Sequence, residues 1–381
     1  MKVIFICYNY LTLYKAMFLI KNRYKKYSCT IIYREIVAKA PVGINKICNV
    51  FIIKKSIGGI YHAMVSLFPR LRNFIEKAMI AKRTCEILKK EIKKDKDNIL
   101  VVFKDNEMIE ATIIKYFVKN TNNKRKVILV EEGIGLYNNS NKKEENRLVY
   151  KILYKLFGLS KYSLQNFSQG YHPFIDKIIC GNPDLFREKK KRRNIPIEKE
   201  INVFNKTDCI YFIKKIVKIS PAKISRYFSS KYVYVTQPLS KDGIIDKEQE
   251  LVFEKDIINL FLNKDKLLIK KHPRDDKKYN SFIEKGAQIF DQNYSAVPFE
   301  CLYFAMKNPI IITVHSSVYK NILDVNNNAP VILLYRLIVD YIEKNKTYKI
   351  NQEIDKIEYD NQKNVFIPKT QSELLKWLDN Q

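Results

Sequence analysis

The chain has 381 residues, 46% of them hydrophobic, with 25 Tyr and 21 Phe. A composition this apolar excludes an intrinsically disordered protein, and the length suits two domains of roughly 150–200 residues each. The formal net charge of +29 comes from 69 Lys and Arg against 40 Asp and Glu. Nucleic acid, an anionic membrane surface and anionic substrates are therefore admissible partners, and a compositional bias of the source explains the charge equally well.

The cysteines and histidines argue against a metal centre or a disulfide framework. Seven cysteines, an odd number, are scattered without a Cys-x-x-Cys pair, and there are only four histidines. This pattern is typical of reduced core thiols in a cytosolic protein, so we expect neither a metal nor a cofactor. Asp95-Lys96-Asp97 has the form of an Asp-x-Asp metal motif, but it precedes a strand, and we interpret it as a turn.

The N-terminal segment Met1–Ile20 is apolar but is interrupted by Asn9 and Lys15. It holds no uninterrupted run of the about 18 apolar residues that a membrane span requires. We predict instead a strand over Lys2–Cys7 and a helix from Leu11, which is the first strand–helix step of a Rossmann-like domain.

Strands and helices alternate along the whole chain. Apolar runs predict strands in the first half at Lys2–Cys7, Cys29–Tyr33, Val50–Ile53, Ile99–Phe103 and Lys126–Val130. Similar runs predict strands in the second half at Lys177–Cys180, Tyr232–Thr236, Leu267–Ile269, Pro309–Val314 and Pro330–Leu334. Helical spacing predicts helices near Arg70–Lys94, Glu107–Val118, Glu248–Leu262, Pro298–Met306 and Ser372–Leu378. The alternation indicates an α/β protein with mainly parallel sheets, which we divide into domains 1–170 and 171–381.

A strongly basic stretch begins at Arg187–Arg193, and lysines alternate with aromatic residues from there to Phe228. One interpretation is an ordinary solvated surface or linker. The other is a surface for anionic lipid headgroups, which leads us to expect a cytoplasmic protein with weak peripheral association at the inner membrane face.

Two carboxylates, Glu131 and Glu132, directly follow a predicted strand and precede Gly133-Ile134-Gly135. Adjacent carboxylates repel each other, which raises the pKa of one of them and suits it to act as a general base. A polar turn with two solvated acids is the alternative. The glycine pair is a weak dinucleotide signal, because the third glycine of that motif is absent.

The segment KLLIKKHPRDD carries a second candidate site. Pro273 cannot continue a central strand, so His272 lies where a strand ends, at the edge where open α/β sheets bind ligands. The cations beside it are Lys270, Lys271 and Arg274. An imidazolium in this setting can donate a hydrogen bond to a phosphate.

A third strand end, after Pro309–Val314, carries His315-Ser316-Ser317. Hydroxyls and free backbone N–H groups at the start of a helix can cradle a phosphate. An ordinary helix N-cap is the alternative for the serine pair.

In chain order, Glu131-Glu132-Gly133, Lys271-His272-Pro273 and Ser316-Ser317 resemble the D/E-D/E-G, H-P and S-S/T motifs of bacterial sialyltransferases. Secondary matches resemble the lipooligosaccharide sialyltransferase family, glycosyltransferase family 52. They are the N-terminal IFICYNYLTLYKA, Gly181–Phe186, Thr236–Ser240, IKKHPRDD and Val297–Glu300. The resemblance implies a GT-B fold of two Rossmann-like domains facing a cleft, CMP-sialic acid as donor, no metal and, in some members, a homodimer.

The resemblance also implies roles for individual residues. Glu132 matches the catalytic base, and His272 matches the group that supports the leaving CMP phosphate. Ser316 and Ser317 match its hydroxyl ligands, and Glu300 matches an acid that binds the ribose hydroxyls. Asp242, in the loop Gln237–Gly243, is a rival base, because some members carry the base ahead of the H-P motif. The remaining expected substrate contacts are Glu131, Gly133, Gln237 and Pro273.

The sequence thus predicts an inverting sialyltransferase acting on a galactose-terminated acceptor of a bacterial surface glycan, either lipooligosaccharide or capsule. One alternative is the same scaffold with another sugar nucleotide. The other is a basic nucleic-acid-binding protein, which would leave the three strand-end motifs unexplained and shows no recognisable binding motif. We therefore expect no nucleic-acid partner.

Overall fold

The computed structural model describes most of the chain, with internal gaps. The described residues are 1–54, 69–92, 97–121, 125–137, 148–159, 168–190, 195–200, 203–220, 230–272, 274–291, 294–306, 308–314, 316–323, 326, 328–338 and 364–380. They divide into two compact units, Met1–Val203 and Phe204–Gln381.

The described part of the first unit is built on a seven-stranded parallel sheet in the order β3-β2-β1-β4-β5-β6-β7. Its strands are β1 Lys2–Cys7, β2 Ser28–Arg34, β3 Asn49–Ile53, β4 Asn98–Val102, β5 Arg125–Val130, β6 Lys177–Cys180 and β7 Ile197–Lys199. Its helices are α1 Tyr10–Asn22, α2 Pro69–Glu91, α3 Met108–Asn120, α4 Leu148–Leu156 and α5 Pro183–Lys189, with short 3-10 turns at Ile44–Lys46 and Ile134–Tyr137. From β1 to β3 successive strands are added on one side of the sheet, and from β4 to β7 they are added on the other side. Open α/β sheets bind ligands at the point between β1 and β4 where this order switches.

Local sequence explains where the first helix begins. Asn9 accepts a hydrogen bond from the backbone of Thr12, and the Thr12 hydroxyl completes a capping box with the Asn9 backbone. The side chains of β1 are all buried, as expected for a strand covered on both faces. The turn between β1 and α1 is therefore fixed, and Tyr8 and Asn9 are held at the carboxyl edge of the sheet.

The described part of the second unit has a six-stranded parallel sheet in the order β10-β9-β8-β11-β12-β13. Its strands are β8 Tyr232–Val235, β9 Leu267–Lys270, β10 Gln288–Ile289, β11 Ile310–Thr313, β12 Val331–Leu333 and β13 Val365–Phe366. Its helices are α6 Lys206–Tyr211, which continues as a π-helix over Phe212–Val217, then α7 Lys247–Leu262, α8 Asn280–Glu284, α9 Phe299–Tyr303, α10 Ser317–Leu323 and α11 Gln371–Asp379. Because β8 lies between β9 and β11, the loops that follow these three strands meet at one edge.

The predicted fold class is confirmed, since each unit is a Rossmann-like arrangement of parallel strands with intervening helices. The predicted domain boundary is too early: β6 and β7 pair with β5 and belong to the first sheet. The units divide after Val203 and not after residue 170, because an apolar run shows that a strand exists but not which sheet it joins.

Within the described part of the chain, no helix combines the length and apolarity needed to cross a membrane. The predicted turn at Asp95-Lys96-Asp97 lies outside the described residues except for Asp97.

Candidate active site

Three neighbouring strands of the first sheet bring together the groups around Glu132. The Glu132 carboxylate follows β5 and accepts hydrogen bonds from the Tyr8 hydroxyl and, at 2.6 Å, from Asn9 Nδ2, both of which follow β1. Lys104 follows β4, and its Nζ lies 3.8 Å from Glu132 Oε2 and 3.0 Å from Glu107 Oε1. A carboxylate at this ligand-binding edge is thus held by two neutral donors beside one cation.

The protonation states around Glu132 follow from burial and charge. Burial, reinforced by Glu132, raises the pKa of the Tyr8 phenol well above its usual value, so this hydroxyl keeps its proton and donates it. Burial by itself would lower the pKa of the Lys104 ammonium. The charges of Glu132 and Glu107 outweigh burial and hold this pKa above its ordinary value. The Lys104 ammonium also lies 5.1 Å from the centre of the Tyr8 ring.

Glu131 has a separate set of partners. Its buried carboxylate accepts hydrogen bonds from the Tyr137 hydroxyl at 2.5 Å and from Gly181 N at 2.6 Å, and its carbonyl accepts one from Lys15 Nζ. These contacts tie the end of β5 to the turn that follows β6. The two adjacent acids therefore differ: Glu131 is engaged within the protein, whereas Glu132 is the partly exposed one. Gly133 accepts a hydrogen bond from Leu136 N at 3.2 Å and begins the 3-10 turn.

His272 lies in the loop after β9, in contact with the loop after β8. Its backbone N–H donates to Thr236 Oγ1 at 3.0 Å, and its Nδ1 accepts from the backbone N–H of Arg274 at 3.1 Å. Burial, and then the charges of Arg274 and Lys270, lower the pKa of His272 to about 4. The imidazole is therefore neutral with its proton on Nε2, which corrects the imidazolium expected from the sequence. A neutral imidazole in this tautomer still presents one N–H donor.

The cations predicted to surround His272 are all engaged by protein groups. Lys270 Nζ donates to the carbonyl of Ser295, and burial lowers the pKa of Lys270 to about 8. Lys271 Nζ donates to the Lys277 carbonyl at 2.6 Å. They contribute positive potential near the loop.

Asp242, the rival base, is paired with Arg274. Its two carboxylate oxygens lie 2.8 and 3.1 Å from the two terminal nitrogens of the guanidinium. This bidentate pair must open or share its lone pairs before Asp242 can accept a proton from a sugar. Gln237, in the same loop, accepts a hydrogen bond through its carbonyl from Lys277 Nζ at 3.5 Å.

Ser316 Oγ accepts from Val318 N at 3.3 Å, as an N-cap does, and a hydroxyl that accepts in this way can also donate its proton. Glu300 is buried on α9, and its carboxylate accepts from Asn321 Nδ2 at 2.6 Å. Pro273, His315 and the side chain of Ser317 lie outside the described residues.

Four residues of these loops were not predicted as site residues: Tyr8, Asn9, Lys104 and Thr236. Each follows the last residue of a strand by one or two positions. This position at the carboxyl edge of a sheet is the sequence feature from which a role in the site could have been predicted. In the described ranges, no group of three or more His, Cys, Asp and Glu side chains is arranged to hold a metal ion.

Two Rossmann-like units with polar groups at the carboxyl edges of their sheets define the GT-B class of glycosyltransferase fold. The chain superimposes on an alpha/beta-galactoside alpha-2,3-sialyltransferase of Photobacterium phosphoreum with a TM-score of 0.52 and 15% identity, covering 96% of this chain and 98% of that one. It superimposes on a 2,6-sialyltransferase of Photobacterium sp. JT-ISH-224, solved with CMP and lactose, with a TM-score of 0.56 and 11% identity, covering 96% and 78%.

The fold alone does not determine the reaction. A UDP-GlcNAc 2-epimerase of Methanocaldococcus jannaschii also matches, with a TM-score of 0.52 and 12% identity over 100% of this chain and 92% of that one. In sequence, an uncharacterized protein of Haemophilus influenzae is 29% identical over 138 residues, which span 33% of this chain and 44% of the relative.

The family model of alpha-2,8-polysialyltransferases matches residues 4–323, which include all three predicted motifs. The chain therefore belongs to the alpha-2,8-polysialyltransferase family. The predicted membership of a bacterial sialyltransferase family is confirmed, and with it the assignment to the glycosyltransferases.

Proposed function

We propose that this protein transfers sialic acid from CMP-sialic acid to a hydroxyl of a bacterial surface glycan, with inversion at the anomeric carbon and without a metal. The observation that carries the proposal is the Glu132 carboxylate, held by Tyr8 and Asn9 at the ligand-binding edge of the first sheet. Sialyl transfer needs a base for the acceptor and support for the leaving phosphate, and the described residues offer a candidate for each.

Glu132 is the proposed general base. The acceptor oxygen forms a bond to the anomeric carbon of sialic acid while its proton passes to a carboxylate oxygen of Glu132. Tyr8 and Asn9 each occupy one carboxylate oxygen, yet a carboxylate has about four lone-pair sites, so an acceptor hydroxyl can still bind. Two neutral donors orient the base, and the Lys104 ammonium lies 3.8 Å from one of its oxygens.

His272 and Ser316 are the proposed donors to the leaving group. As the bond between the anomeric carbon and the phosphate oxygen breaks, its electron pair stays on CMP. Hydrogen bonds from His272 Nε2–H and the Ser316 hydroxyl stabilise that negative charge, and fixed donors of this kind cost no reorganisation during the reaction. We assign Glu300 to the ribose hydroxyls, and Gln237, Pro273 and Ser317 to the remainder of the donor site.

Two acceptor classes fit this site. A galactose-terminated glycan, as the sequence predicts, needs only the base. The family description instead suggests an acceptor that itself ends in sialic acid. Lys104 favours this second candidate, because its partly exposed ammonium, 3.8 Å from the base, can pair with the carboxylate of a sialyl acceptor.

The deciding experiment incubates the protein with CMP-sialic acid and matched acceptors, lactose and sialyl-lactose, and identifies products by mass spectrometry. We expect mass increments of one or more sialyl residues, unchanged by EDTA. Competition should show that CMP inhibits and UDP does not. Transfer from a UDP-sugar, or inhibition by EDTA that Mn²⁺ reverses, would contradict the proposed donor and the proposed metal independence respectively.

We further propose a cytoplasmic location with peripheral attachment to anionic membranes, on the strength of the net charge of +29. In the second unit, the helix Lys206–Val217 exposes Tyr211 together with Lys214 and Lys215. Each lysine near an anionic surface contributes about 1 kcal/mol, which salt screens.

Binding to phosphatidylserine vesicles is expected at low salt and should be lost in about 0.5 M NaCl, where the Debye length falls below about 5 Å. The double variant K214E/K215E should bind more weakly at every salt concentration, with neutral vesicles as the control. Binding to neutral vesicles that resists salt would show that this charge is not responsible.

A further inference from the structure

We infer that Thr236 is a positioning residue for the donor site: its hydroxyl fixes the backbone of His272, and a buried charge cluster under the loop fixes that hydroxyl. The inference rests on the proposed function, because it assigns His272 to the leaving phosphate. The cluster consists of Asp275, Lys277, Glu250 and Glu254, joined by Tyr279.

The Thr236 hydroxyl connects two loops in a defined direction. Thr236 is fully buried at the end of β8, where its Oγ1 accepts from His272 N at 3.0 Å and donates to Asp275 Oδ2 at 2.6 Å. One hydroxyl thus uses both its acceptor and its donor capacity on the loop that carries His272. Because the backbone N–H of His272 can only donate, Thr236 Oγ1 accepts from it, and the hydroxyl proton points toward Asp275.

Asp275 is held in turn from three sides. The Tyr279 hydroxyl donates to its Oδ2 at 2.9 Å, Lys277 N donates to its Oδ1 at 3.0 Å, and its own N–H donates to the His272 carbonyl at 2.9 Å. The loop from His272 to Lys277 is therefore closed on itself around one buried carboxylate, which limits how far the imidazole can move.

Lys277 anchors this loop to helix α7. Its Nζ donates to Glu250 Oε1 at 2.6 Å and to Glu254 Oε1 at 2.8 Å, and all three side chains are almost completely buried. Glu250 also accepts from the backbone N–H groups of Leu239 and Ser240, at 3.0 and 3.1 Å. One ammonium therefore joins the loop after β8, the loop after β9 and the helix between them.

Such a cluster is costly unless it is fully paired, because buried charges lose their hydration. Burial by itself would raise the pKa of Glu250. The contacts with Lys277 and with the Ser240 backbone outweigh burial and keep this pKa below its ordinary value. Burial raises the pKa of Glu254 to about 7. Beneath a site that binds phosphate, a network of this kind holds its donors in place before the ligand arrives.

The test compares Thr236→Val with Thr236→Ser. Valine keeps the shape but removes both hydrogen bonds, whereas serine keeps the hydroxyl. We expect T236V to lose on the order of tenfold in kcat/KM for CMP-sialic acid and in CMP affinity, the cost of leaving the His272 N–H without its acceptor, while T236S stays near the parent. Thr84→Val is the control, since the buried Thr84 hydroxyl bonds the Ile80 carbonyl of its own helix, α2 of the first unit.

A spectroscopic measurement separates positioning from general stability. With only four histidines, ¹⁵N NMR of the imidazoles can be assigned, and His272 in the parent should show the Nε2–H tautomer. In T236V this signal should move toward the tautomer mixture of a solvated histidine, and in T236S it should not. Should T236V fail to fold, Thr236→Ala serves in both measurements.

Parent-like kinetics and unchanged His272 resonances in a hydroxyl-free variant would overturn the inference. Failure of the proposed function is distinguished by His272→Ala: if that variant binds CMP as tightly as the parent, the donor site itself is wrongly assigned. A weakened His272→Ala together with a parent-like T236V refutes the positioning role alone.

Discussion

Glu132→Gln is expected to reduce sialyl transfer by a factor of about 10²–10⁴, the usual contribution of a positioned general base. Glutamine keeps the length and shape of the side chain and can still accept from the Tyr8 hydroxyl, but it cannot take a proton from the acceptor. CMP affinity should be unchanged, because the proposed phosphate donors belong to the second unit. Turnover and CMP binding by calorimetry, measured on the same preparation, check both statements.

Asp242→Asn is the matched control for Glu132→Gln. It too replaces a carboxylate by an amide, and we expect only a modest loss, because the Arg274 guanidinium lies along both oxygens of Asp242 and would have to move aside for an acceptor hydroxyl. The assignment of the base reverses if Asp242→Asn is inactive while Glu132→Gln keeps most of its turnover. Tyr8→Phe should fall between the two, since it removes one orienting donor and leaves the base.

The long central strands were predictable from sequence because they are buried on both faces. Lys2–Cys7 and Lys177–Cys180 have the predicted bounds, and the other predicted strands differ by one or two residues at their ends. The strands that were missed, β7, β10 and β13, have only two or three residues each. The equally short β12 is fully buried within a predicted apolar run, whereas these three strands are not, so only pairing with a neighbouring strand defines them.

The candidate site was predictable in its motifs but not in its partners. Glu132 and His272 follow apolar runs, so their place at a sheet edge could be inferred. That Tyr8 and Lys104 reach Glu132 depends on β1 and β4 being neighbours, which is a property of the sheet order and not of local sequence. The predicted charge of His272 was wrong for a different reason: nearby lysines and an arginine suggested an imidazolium that binds an anion, whereas burial and those same charges keep the imidazole neutral.

His272→Ala is expected to lower transfer by a factor on the order of 10²–10³, the cost of losing one fixed donor to developing charge. It should also change how CMP affinity depends on pH. In the free protein the pKa of His272 is about 4, and a bound phosphate raises it, so binding takes up a proton at pH values between the two. CMP affinity of the parent should therefore rise as the pH falls through that interval.

The measurement compares the CMP affinities of the parent and of His272→Ala. The phosphate of free CMP titrates identically in both experiments, so the ratio of the two affinities isolates the histidine. Calorimetry from about pH 8 to about pH 5 should show that ratio increasing toward acid, and a ratio of one at every pH would mean that His272 does not contact the phosphate.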